Sequence, residues 1–267
     1  MKLTMLGTGN ALVTECYNTC FIIEDKGQLF MTDGGGGNTI LHQIRHAEYD
    51  WMDIRHIFVT HKHVDHLMGI IWMVRMICQF MDHGEYKGEA TIYSHKEVLD
   101  LIRDMAKKLL LKKESAFIGN RLHLTEVHDG QTLEIINHDF TFFDIQSTKA
   151  RQYGFCMDLG SGKKLTCCGD EPLAASVEHY AEGSDLLMHE AFCLYSEREI
   201  FDPYEKHHST VKDACELGER LGVKNLLLYH TEDKNLADKK RLYTEEGSKY
   251  YRGKLLIPED LESIELS

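Results

Sequence analysis

Residues 54–66 read Ile-Arg-His-Ile-Phe-Val-Thr-His-Lys-His-Val-Asp-His, and the fold is read outward from them. The first seven have the composition of a buried strand. Beyond His66, the apolar residues Leu67, Ile70, Ile71, Val74, Ile77 and Met81 recur at helical spacing. The run is therefore strand, loop, helix, and its loop carries His61, His63, Asp65 and His66 within six positions. His61 and His63, two apart on an extended segment, point the same way and can ligate one ion; Asp65 and His66 turn with the helix start toward a neighbouring position. A merely solvated loop has no reason to hold this ordered set, so the segment predicts metal binding in two adjoining half-sites.

The rest of the chain places that loop in an α/β protein. Short β-type runs at 2–6, 20–24 and 28–32 are bounded by Gly, Asn or Asp and predict strands joined by tight turns. A strand around Tyr93 precedes an amphipathic helix over 96–113, with Val98, Leu101, Ile102, Met105 and Leu109 on one face. Strands are predicted at 133–136, 140–145, 154–159, 164–168, 186–189 and 225–230, and helices at 174–182 and 210–221. Strands and helices alternate in both halves, which suits two sheets packed together with helices outside, a four-layer αββα sandwich. Pro172, Pro203 and Pro258 are widely spread and no repeat divides the chain, so a single domain over 1–267 is expected.

Composition narrows the function. Asp and Glu outnumber Lys and Arg by 43 to 30 in 267 residues, a formal charge of -13 that disfavours a nucleic-acid scaffold. The N-terminus has no continuous apolar stretch, and the longest apolar run, 67–74, falls far short of the roughly 20 residues of a membrane span. A soluble, cytoplasmic protein with no membrane role is expected. The 8 cysteines include adjacent Cys167 and Cys168 but no Cys-x-x-Cys pair, which points to reduced thiols. The outlier is histidine, with 16 copies of the commonest metal ligand.

His-x-His-x-Asp-His behind a buried strand resembles the signature of the metallo-β-lactamase fold, whose members are mostly dinuclear zinc hydrolases built on this sandwich. Other landmarks of that family can be matched in order. Asp33 with Gly34 to Gly37 resembles its early Asp-Gly turn, whose carboxylate supports the ligand histidines, although an ordinary Gly-rich turn fits equally well. Gly169-Asp170 resembles the position of the carboxylate that bridges the metals, and Tyr229-His230-Thr231 that of the last histidine ligand. His189-Glu190-Ala191 and His208-Ser209-Thr210 together resemble paired motifs of the ribonuclease Z branch, where a glutamate orients a histidine beside the metals.

The resemblance thus implies metal ligands His61, His63, Asp65, His66, Asp170 and His230, holding two Zn²⁺, with Mn²⁺ or Fe²⁺ as alternatives. It implies a hydrolase of phosphodiester or related ester bonds that uses a metal-bound hydroxide. Asp65 would orient that hydroxide, and His208, held by Glu190, would act as general acid. The two ions would make a locally positive cavity that suits a small or medium-sized anionic substrate. Adjacent His207 reads as a surface histidine. A homodimer is common for the fold.

Two departures qualify the match. The branch carries a third histidine on the first metal shortly before a Tyr-Gly turn, but residues 145–154 contain none, so Gln146 or Thr148 is expected to face the metals and the first ion to be the weaker. True ribonuclease Z enzymes also insert a tRNA-holding arm between the Tyr-Gly strand and the Gly-Asp turn; here only residues 155–168 separate them, so tRNA is not expected as substrate. The rivals are a mononuclear iron dioxygenase on the same fold and a catalytically silent binding module. Lys107, Lys108, Lys112 and Lys113 are read as one solvated helix face, and Gly7-Thr8-Gly9 as a turn.

Overall fold

A computed structural model describes residues 1–266. The backbone gathers into two compact units, one formed by Met1–Gly7, Tyr17–Val127 and the chain from Asp260, the other by Thr8–Cys16 and His128–Glu259.

The first unit is a seven-stranded mixed sheet. Its strands β1 (Lys2–Gly7), β2 (Cys20–Asp25), β3 (Gln28–Thr32), β4 (Ile54–Phe58), β5 (Ala90–Ser94) and β6 (Leu122–Glu126) lie in chain order, and Ser263–Glu265 pairs with β1 at the edge. The β1, β2 and β3 pairings are antiparallel; β3 to β6 run parallel. Every second residue of the strands, Ile22, Met31 and Ile57 among them, packs on helices α1 (Thr39–His46), α2 (Val64–Asp82) and α3 (Lys96–Leu109) through Ile40, Ile44, Ile70, Val74, Ile77, Val98 and Ile102. Helix α2 is long and apolar enough to pass for a membrane span, more so than the run 67–74 suggests, but Leu67, Ile70, Met73, Val74 and Ile77 are spent on this core.

The predicted helix over 96–113 stops at Leu109. Leu110 is extended, and the buried Glu114 carboxylate accepts from the Leu111 N–H at 3.2 Å, which starts a separate short helix, α4 (Lys112–Ser115). Lys112 and Lys113 therefore leave the helix that carries Lys107 and Lys108, and Lys113 pairs with Asp82 at 2.6 Å. Eight-residue α1 escapes sequence periodicity because it is too short to show two full repeats.

The second unit is also a seven-stranded mixed sheet, in the order β13-β12-β11-β10-β9-β8-β7. The strands are β7 (Thr132–Ile135), β8 (His138–Asp144), β9 (Tyr153–Gly160), β10 (Lys163–Cys167), β11 (Leu186–Glu190), β12 (Asn225–Tyr229) and β13 (Lys254–Leu256). They are antiparallel from β7 to β10 and parallel from β10 to β13. Leu187, Leu226 and Leu228 pack beneath α6 (Val211–Arg220) and α7 (Lys239–Gly247) through Val211, Ala214, Cys215 and Tyr243. A short helix, α5 (Arg198–Phe201), lies between β11 and α6. The helix predicted over 174–182 is a 3-10 segment, Ala175–Tyr180, with the Val177 N–H bonded to the Ala174 carbonyl.

Both sheets thus have a parallel side. In an open parallel sheet, ligands collect at the loops beyond the carboxyl ends of the strands, where helix N-termini and backbone donors converge. Every residue singled out as a ligand in the sequence lies in such a loop or in the first helical turn that leaves it, following β4, β10 or β12.

Candidate metal centre

In the first unit the centre is built on Asp33, immediately after β3. The residue is 3% exposed and adopts φ 57°, a left-handed conformation that Asp tolerates better than bulkier residues. Its Oδ1 accepts from the Thr60 N–H at 2.8 Å, and Oδ2 accepts from the Thr60 hydroxyl at 2.7 Å and from His66 Nδ1 at 2.7 Å. A carboxylate only accepts, so His66 carries its proton on Nδ1 and presents Nε2 as a lone pair. The Thr60 hydroxyl, having donated to Asp33, accepts in turn from His61 Nδ1 at 2.9 Å, which leaves His61 Nε2 as a lone pair as well. One buried carboxylate therefore sets the tautomer of two imidazoles.

The ligand atoms converge in pairs. His61 Nε2 lies 2.8 Å from His63 Nδ1, and His66 Nε2 lies 3.3 Å from Asp65 Oδ2. Glycine makes this possible at one point: a Cβ on Gly69 would stand 1.7 Å from the Gly34 carbonyl oxygen, so only glycine lets the first turns of α2 settle on the Asp33 turn. The Gly34 N–H then bonds the His66 carbonyl at 2.9 Å and the Gly69 N–H the Gly35 carbonyl at 2.8 Å. The Asp33–Gly37 segment is a bearing for the helix start, more than an ordinary turn.

In the second unit, Asp170 follows β10 and His230 follows β12, with His230 Nε2 3.5 Å from Asp170 Oδ2. The buried Tyr229 hydroxyl donates to the Gly169 carbonyl and so ties the two strand ends together. Burial holds that phenol far above its usual range, so it stays a neutral donor. Glu190, at the end of β11 and fully buried, accepts from the Ser209 N–H through Oε1 and places Oε2 3.6 Å from His208 Nδ1. The His208 ring stacks on Phe192, with centroids 4.9 Å apart, and lies 5.3 Å from the His230 ring.

Residues 1–248 match the family described as anti-Pycsar protein Apyc1. The chain belongs to that family. It is 26% identical to the ribonuclease Z of Staphylococcus carnosus over 313 aligned positions that cover all of both chains. Among solved structures, it is similar to the metallo-β-lactamase fold protein YhfI from Bacillus subtilis, at a TM-score of 0.79 and 17% identity over 98% of each chain. Human tRNase Z, short form, gives a TM-score of 0.75 and 18% identity over 100% of each chain. The α/β sandwich expected from the sequence is the fold of these proteins, and the ribonuclease Z-like resemblance holds.

Seen as a member of this family, the chain departs from the sequence reading at the position of the absent histidine. Gln146 and Thr148 are both exposed and committed elsewhere: Gln146 Oε1 accepts from the Ser176 hydroxyl at 2.6 Å, and Thr148 Oγ1 lies 2.7 Å from His207 Nδ1. Gln146 has φ 61°, which turns its side chain out of the strand path. The amide that does meet a ligand is Gln152, which the sequence reading passed over. It is 1% exposed, its Nε2 donates to Asp170 Oδ1, and its Oε1 accepts from the Asp170 N–H at 3.3 Å. Gly169, at φ 76°, makes room for it, since a Cβ there would meet Gln152 Oε1 at 2.7 Å. An amide one residue before a Tyr-Gly pair was the only signal available.

His207 is exposed, as read. Cys167 and Cys168 are buried, and burial pushes the Cys168 thiol well above its usual range, which keeps it protonated and unreactive.

Proposed function

We propose that the chain is a metal-dependent hydrolase of phosphodiester or related ester bonds in a small or medium-sized anionic substrate. The observation that carries this reading is the Asp33–Thr60 network, which spends buried polar groups on holding two imidazoles in the tautomer that ligates through Nε2. In this reading, as the resemblance implies, His61, His63, Asp65 and His66 of the first unit and Asp170 and His230 of the second are the side chains that would hold the divalent ions. The donor set fits zinc or manganese, being imidazole nitrogen and carboxylate oxygen throughout. Bound there, such ions supply Lewis acidity and bring the pKa of a coordinated water toward about 7.

The chain's own residues would supply the rest. Asp65, beside His66, orients the attacking water. Glu190 faces His208 Nδ1 and would orient the ring, so that a proton on Nε2 is the one delivered to the leaving oxygen. Gln152 fixes the plane of the Asp170 carboxylate. A small substrate is supported by the direct connection of β9 to β10 through Ser161 and Gly162 alone, where a tRNA-holding arm would have to be inserted.

The test is the metal inventory of protein purified without chelator, followed by turnover of bis(4-nitrophenyl) phosphate before and after chelation and after Zn²⁺ or Mn²⁺ is restored. Activity is expected to vanish and return. Asp65→Ala should cost several orders of magnitude in rate, and His207→Ala should change little. Turnover indifferent to both steps would overturn the reading, and iron with oxygen consumption would replace it with the dioxygenase.

A further inference from the structure

We propose that Lys149 is a substrate-anion clamp: its ammonium takes an unesterified oxygen of the phosphodiester on the side of the site occupied by His208. The loop that carries it is built. Glu171, next to Asp170 and only 3% exposed, accepts from the Ser147 hydroxyl at 2.7 Å and from the Thr148 N–H at 3.2 Å. The Ser147 oxygen in turn accepts from the N–H groups of Lys149 and Ala150, both at 3.3 Å. A buried carboxylate thereby fixes a four-residue turn whose one long cationic side chain reaches the candidate general acid.

The ammonium itself is poorly served by the protein. Lys149 Nζ has Glu171 Oε1 at 3.9 Å, longer than the roughly 2.8 Å of a charge-assisted hydrogen bond, and lies 3.4 Å from His208 Nε2, which is no acceptor when it carries the proton of the general acid. Glu171 Oε1 already has the Ser147 hydroxyl, and an ammonium has three donors to place. The side chain keeps 27% of its surface open, so an oxyanion can approach beside His208 without any rearrangement of the loop. On a chain with a formal charge of -13, a cation held at this point supplies local attraction for an anion that the surface at large repels. The loop is preorganised, so little ordering cost opposes the contact.

The inference rests on the hydrolase reading for its kinetic arm, and a binding arm keeps the two separable. With metal-loaded protein, KM and kcat are measured on bis(4-nitrophenyl) phosphate, and the Kd of inorganic phosphate by calorimetry, for wild type, Lys149→Ala, Lys149→Arg and the remote Lys107→Ala. Loss of one charge-assisted contact predicts that Lys149→Ala raises both KM and the phosphate Kd about tenfold while kcat and metal content hold. Lys149→Arg should return both close to wild type, and Lys107→Ala should change neither. An unchanged phosphate Kd in Lys149→Ala overturns the proposal. So does a fall in melting temperature and metal content that Arg does not repair, since that marks a purely structural lysine. If metal-loaded wild type turns over no diester, the hydrolase reading fails and the phosphate Kd still decides the role of Lys149.

Discussion

Replacing Asp33 with Asn should leave a folded protein that has lost its grip on metal. Asn tolerates the φ of 57° at this position and keeps one oxygen for the Thr60 N–H. Its other atom, however, is an NH₂ that now faces both the Thr60 hydroxyl and His66 Nδ1, where a carboxylate oxygen had accepted from each at 2.7 Å. Two donors cannot share one bond, so His66 moves its proton to Nε2. The Thr60 hydroxyl accepts from the new amide and turns its own proton toward His61 Nδ1, which lies at 2.9 Å, and His61 changes tautomer too. A protonated Nε2 cannot ligate.

Keeping the ligating tautomers instead would leave buried donors opposed, at about 1–3 kcal/mol each. Loss of such an orienting partner costs about 10- to 100-fold in metal affinity, or about 1.4–2.7 kcal/mol. Asp33→Ala is the contrasting variant. It strips acceptors from three buried donors and puts Ala in a left-handed conformation, so about 4 kcal/mol of folding stability should go as well. Calorimetric titration of Zn²⁺, metal content after dialysis and urea unfolding of the metal-free proteins separate the two effects, and histidine ¹⁵N shifts report the tautomers directly. If Asp33→Asn binds Zn²⁺ within about threefold of wild type, with His66 still protonated on Nδ1, the tautomer argument is wrong.

Gln152→Ala should lower metal affinity by about 10- to 100-fold, because the buried Asp170 carboxylate loses the amide that orients it. By contrast, histidine placed at Gln146 or Thr148 should leave metal content unchanged, since both side chains are exposed and bonded elsewhere; a gain in either variant, read by calorimetry, would refute the assignment of this segment. The Arg220 guanidinium, forked onto Glu178, holds that carboxyl below its ordinary value of 4.5. A carboxylate depressed in the folded state contributes stability above its unfolded pKa and loses it as pH falls through the folded one. Arg220→Ala should therefore cost about 0.5 kcal/mol at pH 7 and progressively less in acid, by urea unfolding at several pH values; a penalty that grows toward low pH would show that the pair is not what Arg220 contributes.

What the sequence determined by itself was everything carried by neighbours along the chain. His61, His63, Asp65 and His66 lie within six residues, so the pitch of a strand end and a helix start fixes where they aim, whatever the rest of the chain does. Strands β1 to β5 and β7 to β12 are legible for the same reason, whereas β6, β13 and Ser263–Glu265 are too short or too polar to stand out, and the Asp33–Gly37 turn is marked by its glycines. What only the tertiary structure decided was which distant residues meet. Glu190 reaches His208 because the intervening segment, which contains the short helix α5, returns Ser209 to the end of β11, a closure that no local pattern encodes. Gln152 meets Asp170 because of register.

The β9–β10 ladder pairs Lys163 with Gly160 next to its turn, then shifts by one residue and pairs Lys164 with Asp158 and Cys167 with Phe155. Continued past the strand end, that shifted register sets Gln152 opposite Asp170; without the bulge it would have been Tyr153. A single extra residue in one strand turns every later side chain to the other partner and the other face, and its position depends on packing across the whole sheet. That is why the ligand loop could be read from thirteen letters, whereas the residue that holds the carboxylate expected to bridge the metals could not.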